Sequence, residues 1–163
     1  MSGARAAAWL GALLLVGAAA ADPPPKVDGE KLKQSFAGSA DTDAFLRDPG
    51  LRAELVLLLG GSLAQLENNL SVRAEVDLVG GQLRLAGNAP HGGGEEEAVV
   101  CVAVYDGAVN AAILSAGAIT VFTKSRDYAA LPLCIKDWVT QVNSGHRDRF
   151  AKPANVRRAN GGF

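Results

Sequence analysis

Apolar positions change their spacing twice along this chain, and the changes mark out its elements. Over "RDPGLRAELVLLLGG" the spacing is helical, with Leu51, Leu55, Leu58 and Leu59 on one stripe. Asp48 stands at the capping position, Pro49 at the first helical position, and Gly60 and Gly61 supply the stop. Ser62 and Gln65 have the spacing of a capping box for a further short helix, "SLAQLENN". From Val72 the period drops to two. "VRAEVDLV" predicts one strand with Val72, Ala74, Val76 and Leu78 on its covered face. Gly80 and Gly81 predict a tight hairpin turn into "QLRLAGN", where Leu83 and Leu85 alternate again. "AVVCVAVY" is apolar without a break, which predicts a central strand covered on both faces. Asp106-Gly107 leads into "AVNAAILS", and Ala116-Gly117 into "AITVFTK". Helical spacing then returns at Leu131, Ile135, Trp138, Val139 and Val142, with Pro132 in the first turn and Gly145 at the end.

These elements predict one α+β domain over residues 44–145: a five-stranded antiparallel meander sheet with N- and C-terminal helices packed on one face. Residues 22–43 read as a proline-rich tether, "DPPPKVDG", followed by a weakly structured segment. Residues 146–163 are basic, lack apolar periodicity and read as a mobile tail. The predicted strand connections are short, with one exception: "GNAPHGGGEEE", Gly87 to Glu97. A long loop on a rigid sheet is a common place for binding groups. Plain turn chemistry, with proline and glycine shaping a solvated hairpin, is the other reading of the same residues.

Composition adds a compartment. The chain opens with one basic residue, Arg5, then an apolar run, then small residues at Ala19 and Ala21. That order predicts a signal peptide over residues 1–21, cleaved after Ala21, with a retained N-terminal anchor as the alternative. The product would be periplasmic or secreted, and no remaining apolar run predicts stable membrane insertion. Loss of Arg5 with the leader leaves 15 basic against 17 acidic side chains, a net charge of −2. A balance so close to neutral steers the whole domain toward neither nucleic acid nor an anionic membrane. Cys101 and Cys134 are an even pair in an exported chain, without C-x-x-C spacing. They fit a disulfide stapling the last helix to the central strand; two separate buried thiols are one alternative, and a Cys nucleophile is another, for which no His or Asn pattern around Cys101 speaks. Closing that loop is worth about 3–4 kcal/mol in the chain-entropy treatment.

Catalytic chemistry is sparse. The only histidines are His91 and His146, and G-x-S-x-G does not occur. Gly92–Gly94 lead into a predicted strand, whereas a phosphate cradle needs a helix N-terminus and a lysine. His91 beside Glu95, Glu96 and Glu97 lacks any metal-ligand spacing, because neighbouring residues of a strand point to opposite faces. Neither metal nor cofactor is therefore expected. The candidate partner-binding residues are Pro90, His91, Glu95, Glu96 and Glu97. Asn69-Leu70-Ser71 matches a glycosylation sequon.

The order of elements over about residues 45–143, with Pro90-His91 in a protruding loop, resembles the periplasmic inhibitors of vertebrate lysozyme, the Ivy family. The family loop reads Cys-Lys-Pro-His-Asp-Cys, and its histidine hydrogen-bonds to the catalytic carboxylates of lysozyme. Here the loop reads "NAPHGG": Pro90 and His91 match, Ala89 replaces the lysine, and no cysteine closes the loop. The resemblance implies an inhibitor without enzymatic activity, His91 its wedge and Pro90 its brace, with a cationic lytic enzyme as protein partner. Two other classes stay open on the residues alone. One is a structural or interaction protein of the envelope with its contacts elsewhere, and the other is an enzyme built on His91 and Glu95–Glu97.

Overall fold

The structure is a computed structural model that describes residues 23–144 and 152–163. The expected leader over 1–21 lies outside the described residues, as do Gly145 and His146. Among the described residues four helices come first: α1 Gly29–Phe36, α2 Thr42–Arg47, α3 Pro49–Leu59 and α4 Leu63–Asn69. Aspartates start three of them. Asp28 accepts from Lys31 N–H, Asp41 from Ala44 N–H, and Asp48 from both Gly50 and Leu51 N–H, each answering donors that a helix N-terminus leaves unpaired. The segment expected to be weakly structured thus carries α1 and the start of α2. A short helix with little apolar patterning is held by its cap and by Leu32, which packs into the core. Ser62 makes no capping hydrogen bond. It ends a single 3₁₀ turn, Gly60–Ser62, and its backbone is already helical, so its side chain cannot reach forward as a cap does.

Among the described residues the sheet has seven strands, not five. They are β1 Val72–Arg73, β2 Asp77–Val79, β3 Gln82–Asn88, β4 Glu97–Ala103, β5 Val109–Ser115, β6 Ala118–Phe122 and β7 Val156–Arg158. β1 and β2 both pair with β3, and the order continues β4, β5, β6, β7; all pairs are antiparallel except β6 with β7. The two additional strands have separate origins. The stretch expected as one strand from Val72 breaks at its middle, where Val76 exchanges backbone hydrogen bonds with Gly38 and Ser39 instead of a strand. The break turns only Val76 into the core and leaves Val72 and Leu78 about half exposed, at 51% and 49%. Arg73 secures the first half by donating to Thr42 Oγ1 at 2.7 Å and Leu70 O at 2.6 Å, and by pairing with Asp43. The second source is the tail. Val156 is buried against β6, so part of the basic segment expected to be mobile closes the sheet edge in parallel register.

Helices cover both faces of the sheet, which corrects the expected single helical face. Along β4 the side chains alternate: Ala98, Val100 and Val102 join the core under α1–α4, and Val99 and Cys101 join a second core under α5, Leu133–Val142. A strand apolar at every position needs cover on each side, and α5 supplies the second cover with Ile135, Trp138 and Val139. Cys101 and Cys134 are joined by a disulfide, which ties α5 to the middle strand.

Candidate functional site

Between β3 and β4 the antiparallel ladder closes at Asn88 opposite Glu97, and the Ala89 N–H extends it by donating to Glu96 O at 2.9 Å. Beyond that pair the chain makes a tight turn. Gly92 N–H donates to Ala89 O at 2.9 Å, with Pro90 in the second position and His91 in the third at φ 61°. Proline followed by a residue at positive φ is the signature of a type II turn, whose third position is normally glycine. Holding a non-glycine residue there costs roughly 1 kcal/mol or more. A second turn follows, in which Glu95 and Glu96 N–H both donate to Gly92 O, at 3.1 and 2.8 Å.

The five residues proposed from the sequence divide into two groups. Pro90, His91 and Glu95 are exposed on the outer side of the loop. Glu96 and Glu97 turn back. Glu97 Oε1 accepts from Gly94 N–H at 2.6 Å, and Glu96 reaches the body of the protein, where Ser115 Oγ donates to it at 2.7 Å and Asn69 Nδ2 at 3.2 Å. The Ser115 and Asn69 hydrogen bonds hold the Glu96 carboxyl below the usual glutamate range, against the opposing effect of burial. Of the three consecutive glutamates, Glu95 is thus the one that carries its charge on the outer side of the loop.

Asn69 and Ser115 belong to this site although nothing in the sequence drew attention to them as partners of the loop. Asn69 is fully buried, and its amide also donates to Glu97 O and Leu114 O. The sequon nitrogen is thus spent on internal hydrogen bonds and offers no surface for a glycan. A groove of about 720 Å³ lies at the other end of the sheet among Pro24–Val27, Asn110, Thr123 and Lys124, and neither histidine nor cysteine lines it. Among the described residues no three His, Cys, Asp or Glu side chains converge as metal ligands. No helix of the described residues is long and apolar enough to cross a membrane.

A disulfide-stapled α+β scaffold that presents one internally bonded loop has the build of a binding module. The family whose sequence pattern matches is described as inhibitor of vertebrate lysozyme (Ivy), and the match runs over residues 50–145. That is more than half of the chain, so the chain belongs to the Ivy family, lysozyme-inhibitor-type binding proteins. The matched span contains α3 apart from Pro49, α4, α5, β1–β6, the Pro90-His91 loop and both cysteines. No curated protein and no solved structure matches the chain.

Proposed function

We propose that this protein is an exported inhibitor of a lysozyme-type enzyme and acts by placing the Pro90-His91 turn in the enzyme's cleft. The observation that carries the reading is His91 itself. It is exposed at the tip of the turn and sits at a positive φ that glycine would occupy at less cost. Strain retained at an exposed, non-packing residue points to a use for the side chain. A projecting imidazole can donate a hydrogen bond to a carboxylate, the group that a lysozyme-type active site supplies in a pair. Pro90 restricts the turn and so lowers the ordering cost of insertion. Exposed Glu95 adds negative charge that suits a basic enzyme during encounter. Export is supported by the leader-like residues 1–21 and by a disulfide of the kind that persists in oxidising compartments.

The test is a lysozyme clearing assay with the purified chain and two variants. The unsubstituted protein should slow lysis. His91→Ala should weaken inhibition by roughly 30-fold, the loss of a central contact worth about 2 kcal/mol. His91→Gly should lose inhibition equally while its melting temperature stays level or rises, because glycine relieves the turn. Absence of inhibition by the unsubstituted protein at micromolar concentration would refute the reading.

A further inference from the structure

The loop that displays His91 contains three glycines and no cysteine, so its shape has to be maintained without a covalent closure. The ends are nonetheless close: a Cβ built on Gly93 lies 4.0 Å from Asn88 Cγ. Glycine-rich backbone loses the most conformational freedom on ordering, and a hairpin tip stays fixed only if something other than packing holds it.

One residue ties this loop both to itself and to the body of the protein. The Glu96 backbone closes both limbs, its C=O accepting from Ala89 N–H and its N–H donating to Gly92 O. Its side chain crosses to two other elements, with one carboxylate oxygen on Ser115 at the end of β5 and the other on Asn69 at the end of α4. Ala116 N–H and the Gln65 side chain add to the same carboxylate. Asn69 is a fixed post: its Nδ2 is oriented by two backbone carbonyls, and its Oδ1 accepts from Asn68 Nδ2 at 3.2 Å. Hydrogen bonds to an ionised acceptor are about twice as strong as neutral ones.

We propose that Glu96 is a positioning residue that latches the Pro90-His91 loop onto Asn69 and Ser115, taking the place of a covalent closure. Its importance for inhibition rests on the function proposed above, whereas its effect on the loop does not.

The experiment measures amide hydrogen exchange in the free full-length protein, with lysozyme inhibition as a second readout. Glu96→Ala should speed exchange at Ala89, Gly92, Glu95 and Glu96 by about tenfold or more while Val99 and Val100 in β4 keep their rates. Ser115→Ala, which removes the closest partner from the other side, should give the same pattern. Glu96→Gln should fall between, since it is uncharged and only one of its two terminal side-chain atoms can accept a hydrogen bond. Adding Asn88→Cys with Gly93→Cys to Glu96→Ala, under oxidising conditions, should restore both slow exchange and inhibition. Wild-type exchange in both Glu96→Ala and Ser115→Ala overturns the latch. Restored loop order without restored inhibition overturns its role in positioning His91. If the unsubstituted protein fails to inhibit, the proposed function falls alone, because the exchange rates still decide the latch.

Discussion

The two faces of the sheet are held by different means. Under α1–α4 lies the larger core, with Phe45, Leu51, Leu55 and Leu66 almost fully buried and Phe36 set edge-on to Phe45 at 5.7 Å between ring centres. Four short helices interlock there, three of them capped by aspartate, and no covalent bond crosses the interface. On the other face α5 is the one helix among the described residues, its Trp138, Ile135 and Val139 joined by Tyr128 and Leu131 from the segment before it, and there the Cys101–Cys134 bridge joins helix to sheet. A single helix of about three turns is marginal by itself and brings fewer side chains to its face than four helices do. A cross-link offsets that deficit by restricting the unfolded chain, where several interlocking helices need no such help.

Removing the Phe45 ring tests the packed face and carries the largest expected effect. Phe45→Ala should cost about 3–5 kcal/mol in urea unfolding, since the ring is fully enclosed. The loss should be equal with the disulfide intact or absent if the faces act independently. Replacing both cysteines with alanine should cost slightly less, about 3–4 kcal/mol, and should speed exchange in α5 more than in α3. A cost under about 1 kcal/mol would mean that α5 holds by packing after all, and the contrast between the faces would disappear.

Acid produces the smallest expected effect and acts at neither core. The folded Glu96 carboxyl titrates below its unfolded value, because Ser115 and Asn69 favour its charged form. The stability it contributes is thus fully present above the ordinary glutamate value and is lost as pH falls through the depressed folded value. Between about pH 5 and about pH 3, the melting temperature of the unsubstituted protein should fall more steeply than that of Glu96→Gln. Parallel curves would show that the latch contributes nothing to global stability.

Legibility in the sequence followed how local each cause is. The start and stop of α3 could be read because Asp48, Pro49 and Gly60 act within a few residues of the helix they bound. Strands β3–β6 could be read because alternation and the Gly80-Gly81 and Ala116-Gly117 turns are local too, each turn placing both residues at positive φ. The second helical face was implicit in the unbroken apolar run of β4, but a stripe on α5 does not say which side of the sheet it meets. β7 left almost no trace, since its docking depends on Val156 amid polar residues and on an edge formed far earlier in the chain. At the loop, its length and its Pro-His pair were visible. The inward turn of Glu96 was not, because its partners lie 19 and 27 residues away and nothing in a run of three glutamates separates one from the next.

The segment leading into α1 lies against the opposite end of the sheet from His91. Gly50 and Gly107 leave room for Lys26 and Val27, a Cβ on Gly50 falling 2.6 Å from Lys26 O, and Gly29 sits against the carbonyls that end β4. From that end to Glu97, where the loop begins, β4 runs roughly 20 Å. A resin, label or fusion partner joined ahead of Pro23 is thereby held at the far pole of the molecule. Immobilised by that end, the protein would present its histidine outward to whatever enzyme flows past.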